Sequence, residues 1–288
     1  MIIYKKITIG ADKMKITNIS ELNKKAVDVR IGIIEAIYSA QSGHPGGALS
    51  IADILTALYF NEMNIDPKNP KMENRDRLVL SKGHACAALY SVLANRGFFD
   101  IDILKSFRNI NSNLQGHPDR NKIAGIDMTT GSLGQGLSSA NGMAISAKRN
   151  KKDYRVYCIV GDGEIQEGQI WEAAMTSSHY KLDNLCLIID NNNLQIDGEV
   201  KNVMNVYPID EKLKAFGFEV VCVDGHNISE LLEAFGYAKN IKIRPTAIIA
   251  KTIKGKGVKF MENQAKWHGK APNEEEYKQA INMLKGMK

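Results

Sequence analysis

A doubly wound α/β fold, a mainly parallel sheet flanked by helices, is what this sequence predicts. Three observations carry that expectation. Short apolar or β-branched runs at 78–80, 156–160, 185–189, 219–223 and 246–250 are separated mostly by helix-length segments, and strands alternating with helices build parallel sheets. Two of those runs lead straight into oxygen-bearing residues, Asp162 and Asp190-Asn191-Asn192. Their carboxyl ends would lie side by side, where open α/β sheets bind ligands. The chain's 288 residues, 44% hydrophobic and 24% charged, also suit one large globular domain.

Taken in order, residues 1–17 show no period and are expected to form a loose arm before a single domain over 18–288. Asn18 followed by Glu21 resembles a capping box. Leu22, Ala26, Val29, Ile33 and Ile37 then line one helical face, which Gly43 ends. The loop Ser42-Gly43-His44-Pro45-Gly46-Gly47 precedes a second helix from about Ser50, and Pro67 and Pro70 punctuate the route to the first strand. Ser81-Lys82-Gly83-His84 opens a helix over 85–95, Asp100 caps a short helix, and 112–127 is expected to be irregular. The glycine-rich turn Thr129-Thr130-Gly131-Ser132-Leu133-Gly134-Gln135-Gly136 enters a helix of small residues that a neighbouring backbone can approach closely. Beyond Asn192 a strand, a helix near 228–239 and a last strand follow, and Asn273 with Glu276 caps a final helix over 274–284.

Composition narrows the class. No apolar run approaches the roughly 20 residues that cross a bilayer, and the start lacks the marks of a signal peptide. A cytoplasmic protein without a membrane partner is expected. Cys86, Cys158, Cys186 and Cys222 show no C-x-x-C spacing and are read as buried structural thiols. The formal charge of +6 gathers at 148–152 and, more spaced, at Lys251, Lys254, Lys256 and Lys259. Neither run interleaves aromatics, so nucleic acid has little support, and the first run reads as a solvated face. Anionic small molecules equally explain the mild excess.

The chemistry concentrates between Gly161 and Asn192. Gly161-Asp162-Gly163 alone is a common turn. Paired with Asn192 at the end of the next strand, it reads as a clamp for a metal and a diphosphate. Hard oxygen ligands suit Mg2+, with Ca2+ or Mn2+ as alternatives, and the carbonyl of Leu194 is a third candidate ligand. The flanking glycines let backbone amides approach an anion. His44, His84, His117 and His268 all lie in loops beside glycine or proline, where imidazoles can bond sugar hydroxyls or phosphates and move protons. His179 and His226 have no such setting and are read as structural.

At these residues the chain resembles the amino-terminal, pyrophosphate-binding part of transketolases, which are thiamine-diphosphate enzymes. The likeness covers roughly 20–285 and rests on Ser42-Gly43-His44-Pro45-Gly46, Ser81-Lys82-Gly83-His84-Ala85, Gly116-His117-Pro118, the 130–136 turn, Gly161 to Gly168, Asp190 to Gly198, and His268. It implies Asp162, Asn192 and the Leu194 carbonyl as metal ligands. Gly163, His84 and His268 would contact the diphosphate, and Gly131 and Leu133 would support the aminopyrimidine. His44, His117 and His268 would line the donor-sugar channel, and Glu167 would join a network linking paired active sites. Ser132 stands where many relatives have proline.

The resemblance also implies what is not encoded here. The glutamate that promotes ionisation of the cofactor, and most arginines that grip the substrate phosphate, belong to the family's pyrimidine-binding part. The chain stops soon after its capped last helix, so a natural split subunit is expected. It would work with a pyrimidine-binding partner, two copies of each, moving a ketol unit between phosphorylated sugars. Two other readings stand beside it: another thiamine enzyme, such as a deoxyxylulose-phosphate synthase relative or a 2-oxo-acid dehydrogenase component, and a non-catalytic cofactor-binding subunit. The loop histidines favour the first reading, because sugar hydroxyls need such partners.

Overall fold

In the computed structural model, which describes residues 15–196 and 198–288, five runs form strands β1 (Arg77–Leu80), β2 (Val156–Gly161), β3 (Leu185–Asn191), β4 (Glu219–Asp224) and β5 (Thr246–Lys251). They hydrogen-bond in the order β1-β2-β3-β5-β4, each neighbour parallel to the next. The α-helices are, in chain order, α1 (Ile19–Ala40), α2 (Pro45–Leu49), α3 (Ala52–Ala57), α4 (Cys86–Arg96), α5 (Gln135–Arg149), α6 (Gly168–His179), α7 (Val200–Val203), α8 (Ile209–Ala215), α9 (Ile228–Asn240) and α10 (Glu274–Lys285).

Side chains alternate across a strand, and here both faces are covered, as parallel sheets require. Leu78, Leu80, Tyr157, Ile159 and Ile188 pack with α1, α3, α4, α9 and α10. Val79, Cys158, Val160, Leu187 and Ile189 pack with α5, α6 and α8. This is the doubly wound arrangement expected. The interior of β2 and all of β3 are buried, which explains why those runs lack polar alternation.

Local signals hold in most places. Asn18 Oδ1 accepts the Glu21 amide at 3.2 Å, and all five residues of the expected α1 face are buried. Asp100 caps a 3₁₀ turn over Ile101–Ser106, and Asn273 with Glu276 closes a full capping box on α10. Lys148, Arg149 and Lys151 are exposed, as a solvated face should be. Most of the expected arm, 1–14, and Asp197 lie outside the described residues. Ile16 bonds back to Phe60 through its amide, at 2.8 Å.

Three expectations are corrected. α1 ends at Gln41, whose φ of 46° takes the left-handed position, rather than at Gly43. The second helix starts earlier, at Pro45, and breaks at Ser50 before α3. Ser50 turns its hydroxyl to Gly47 O (3.1 Å) and Asp190 Oδ2 (2.7 Å). Finally, Cys222 is exposed while the other three thiols are buried, because β4 is an edge strand. No described helix is long and apolar enough to cross a membrane.

Candidate active site

β2 and β3 end side by side, Gly161 in register with Asp190. The chain leaves β2 through Asp162, whose side chain is 1% exposed. Its Oδ1 accepts the Gly163 amide at 2.9 Å. Its Oδ2 accepts Asn191 Nδ2 at 3.0 Å and the Asn193 amide at 2.5 Å. Burial, then the nearby Asp190 charge, pushes its carboxyl up to about 6. Asn192 turns inward beside it, donating from Nδ2 to Asp190 Oδ2 (2.9 Å) and accepting the Leu194 amide on Oδ1 (3.1 Å). Carboxylate, amide oxygen and the Leu194 carbonyl thus gather at adjoining strand ends.

Behind them Asp190 is a fully buried hub. Lys82 Nζ, Ser50 Oγ, Asn192 Nδ2 and Thr252 Oγ1 all donate to its carboxylate. These cationic and hydroxyl donors, against the upward push of burial, hold its carboxyl below the usual range. Lys254 is different. It is 2% exposed, and its ammonium donates to the Leu194 carbonyl at 3.3 Å and meets His268 Nδ1 at 3.0 Å. No carboxylate pairs with it within salt-bridge distance among the described residues. Burial, then the Lys82 charge, brings it down to about 8. The charges of Asp190 and Asp162 offset part of that push, but a desolvated cation with no carboxylate in contact is costly to keep, so the cleft favours an anion.

Three imidazoles close the other wall. His44, His84 and His268 form a triangle with ring centroids 5.2–5.3 Å apart. Burial lowers all three: His44 to about 4, helped by Arg108, and His268 to about 3, helped by Lys254, with His84 well below its usual value. They are neutral rings near pH 7, and His44 Nδ1 is buried with no hydrogen-bond partner among the described residues. The glycine turn supplies the last wall. Gly134 has φ +83°, and a side chain on Gly83 would meet Gly131 N at 2.9 Å, so bulk is excluded on both sides. Glu164 locks this turn, accepting the Gly134 and Gly161 amides at 3.0 and 3.1 Å and the Ser81 hydroxyl.

The result is a cleft of about 400 Å³. It brings together His44, His84, His268, Gly131, Leu133, Asp162, Gly163, Glu167, Asn192 and Leu194. His117 is not in its lining. It is exposed at the rim, its ring lying 3.2 Å from where a Gly131 Cβ would be. Glu167 stands exposed at the start of α6.

Residues 22–288 match the family model described as transketolase, thiamine diphosphate binding domain. The chain belongs to the transketolase family. It is 44% identical over 92% of its length to a 6-deoxy-6-sulfo-D-fructose transketolase subunit of Clostridium sp. (strain MSTE9), 96% of which is covered. It is 42% identical over 91% of its length to one subunit of the apulose-4-phosphate transketolase of Phocaeicola vulgatus, again covering 91% of that protein. The transketolase crystal structure from Campylobacter jejuni superposes with a TM-score of 0.88 at 39% identity, across 93% of this chain and 43% of that one.

Residues beyond the expected site residues also build this cleft. Lys82 and Asp190 lie inside the Ser81–Ala85 and Asp190–Gly198 motifs, which give neither of them a role. Glu164 sits inside the Gly161–Gly168 motif. Lys254 carries only the weak signal of a spaced lysine run beside Gly255. His226 is structural, as expected: Nδ1 pairs with Asp53 at 2.7 Å and Nε2 accepts the Ile253 amide at 2.8 Å.

Proposed function

We propose that this chain is the diphosphate-holding subunit of a two-chain transketolase, which moves a two-carbon ketol unit from a ketose to an aldose. The observation that carries the proposal is the buried Lys254 ammonium, unpaired by any described carboxylate, facing the oxygen trio of Asp162, Asn192 and Leu194. A cleft offering such a cation beside a carboxylate and two neutral oxygens suits an anion chelated with a hard cation. Mg2+ fits that donor set best, and Ca2+ or Mn2+ would be accepted less well. The Lys254 ammonium, which donates to the Leu194 carbonyl at 3.3 Å, supports that oxygen as a seat for positive charge.

Thiamine diphosphate, when bound, supplies the electron sink for carbon–carbon bond cleavage. The residues of this chain hold and orient it. Asp162, Asn192 and the Leu194 carbonyl grip the cation. His84, His268, Lys254 and Gly163 face the diphosphate, and the Gly163 amide, by donating to Asp162, holds that carboxylate in place for the cation. Gly131 and Leu133 seat the ring. His44 and His268, neutral at pH 7, accept or relay hydroxyl protons of the donor sugar, with His117 at the mouth. Glu167, exposed at the rim, reaches toward the partner and couples paired sites.

The partner carries the pyrimidine-binding part, and we place two copies of each chain in the assembly. That both relatives are themselves named as subunits, and match this chain over nearly their full length, supports this. Those relatives act, by name, on a sulfonated and a phosphorylated sugar, so an anionic sugar is the expected substrate class. Free buried thiols fit a reducing cytoplasm. Co-purification with the partner, then a donor–acceptor screen with thiamine diphosphate and Mg2+, tests the reading. Ketol transfer should need both chains. Full transfer by this chain alone would sink the split-subunit reading, and turnover of pyruvate but no ketose would replace the reaction.

A further inference from the structure

A second buried charge network, outside the cleft, reaches the loop that carries Lys254. Asp53 on α3 is 5% exposed and takes both guanidinium nitrogens of Arg30 on α1, Nη1 at 2.9 Å and Nη2 at 2.5 Å. The same carboxylate meets His226 Nδ1 at 2.7 Å. Because His226 Nε2 accepts the Ile253 N–H, the ring proton must sit on Nδ1 and be donated to Asp53. Arg30, from its other side, donates Nε–H to the Lys256 carbonyl at 3.2 Å.

One carboxylate therefore anchors two arms, and the arms hold the backbone on both sides of Lys254: at the Ile253 amide and at the Lys256 carbonyl. The loop between is bent tightly. Gly255 has φ +83°, a side chain there would fall 2.4 Å from the Met261 carbonyl, and its amide bonds Gly46 O at 3.0 Å. The need for such holding is physical. A lysine has a long flexible stem and an ammonium that favours water, so an unrestrained Lys254 would swing out toward solvent.

We propose that Asp53, with Arg30 and His226 as its arms, is a positioning bracket that keeps the Lys254 ammonium inside the cleft. For the ligand's identity, this rests on the diphosphate reading above. None of the three residues lines the cleft, so they act on the ligand only through Lys254.

Two substitutions at one position separate positioning from plain fold support. His226→Asn keeps a donor for Asp53 and loses the acceptor for Ile253. His226→Gln reaches the Nε2 position with an oxygen for Ile253 and gives up the Asp53 contact. Modification of Lys254 by a water-soluble amine reagent, followed by mass spectrometry on the full cofactor-free chain, reads whether the ammonium is held inside. Thiamine diphosphate affinity, with Mg2+ and the partner chain present, is read by calorimetry, and the melting temperature monitors the fold.

We expect His226→Asn to raise Lys254 labelling about tenfold and weaken cofactor binding by a similar factor, on the scale of one buried hydrogen bond, with His226→Gln intermediate, because it keeps the Ile253 bond and loses the Asp53 anchor. If His226→Asn melts below the assay temperature, Arg30→Lys, which keeps an ion pair to Asp53 but loses the donor to Lys256, should raise labelling from the other arm. Labelling unchanged in these variants overturns the bracket. So does equal labelling and equal loss of melting temperature in the Asn and Gln variants, the mark of a network serving the fold alone. Since labelling needs no cofactor, the expected labelling pattern without thiamine diphosphate binding would leave the bracket standing and sink the cofactor reading instead.

Discussion

Two clusters of buried charge sit at opposite ends of one sheet, and they are built differently. At the amino ends of β1 and β2, Asp127 takes Arg75 through two contacts and also the Leu78 amide at 2.9 Å. Asp76 accepts the Arg155 and Asn64 amides, each at 2.7 Å. Glu62 takes the Tyr157 hydroxyl at 2.7 Å and Lys239 at 2.8 Å. Each of these carboxylates is closed by its own partners. At the carboxyl ends Asp190 is closed in the same way. Yet among the described residues Lys254 finds no carboxylate within salt-bridge distance, and this rather than a lone unpartnered atom marks the difference, since His44 Nδ1 at this end is matched by Arg155 Nε at the other. Closed networks hold elements together. The open one leaves a buried ammonium with no carboxylate in contact among the described residues.

The sharpest way to break that contrast is at Asp162. Asp162→Ala removes the one anionic oxygen of the trio and should weaken cofactor binding in the assembled enzyme by about 1000-fold, or ~4 kcal/mol. The fold should survive, since the loss also relieves repulsion with Asp190. Calorimetric titration returning an unaltered affinity would refute the assignment.

A crossed pair of substitutions comes next. Arg75→Leu leaves Asp127 in the closed cluster with only the longer Arg77 contact of 3.7 Å and the Leu78 amide, and should destabilise the chain by about 3 kcal/mol without changing cofactor affinity of the folded protein. Lys254→Met removes an ammonium that no described carboxylate contacts. It should leave the melting temperature equal or higher and weaken cofactor binding roughly 20-fold, the value of a charge-assisted hydrogen bond. Denaturant unfolding and calorimetry on both variants decide it. If both lose stability alike, the two clusters are of one kind.

His117 tests the edge of the open cluster. Exposed at the rim and outside the cleft lining, it should touch sugar and not diphosphate. His117→Ala is expected to raise the donor's Michaelis constant about tenfold with cofactor affinity unchanged. A normal constant for every accepted donor would count against its role.

How much of this is legible in the chain follows the range of the forces involved. The α1 face, the Asn18 and Asn273 caps and the paired turns at Asp162 and Asn192 rest on neighbours within a few residues, so periodicity and spacing expose them. α7 and α8 give no such signal because they are one or two turns long and carry no capping side chain. Lys254 is hidden for another reason. In the chain it looks like Lys251 and Lys259, which are exposed. What separates it is the left-handed Gly255 and the grip of Arg30 and His226, contacts made across more than two hundred and across twenty-seven residues respectively. Cys222 shows the converse: a residue typical of cores lies open because its strand happens to be the edge.

The smallest expected effect is on acid stability, and its sign follows from the histidine wall. An unfolded imidazole titrates near 6.5, whereas burial first, and then the charges of Arg108 and Lys254, hold His44 to about 4 and His268 to about 3 in the folded chain. Between pH 6.5 and 4 the unfolded imidazoles therefore bind protons that the folded ones refuse, so the histidine contribution to stability rises with pH across that window, against the opposite contribution of Asp162, which the fold holds up at about 6. His268→Gln keeps a neutral polar group in place and removes one of the refused protons. Its unfolding free energy, followed by denaturant titration from pH 7 to 4, should fall less steeply than that of the wild type. The Arg75→Leu variant, altered in the closed cluster, should run parallel to the wild type over the same range. A His268→Gln curve parallel to the wild type instead would mean that the imidazole charges freely in the fold, and that the open cluster is wetter than its burial implies.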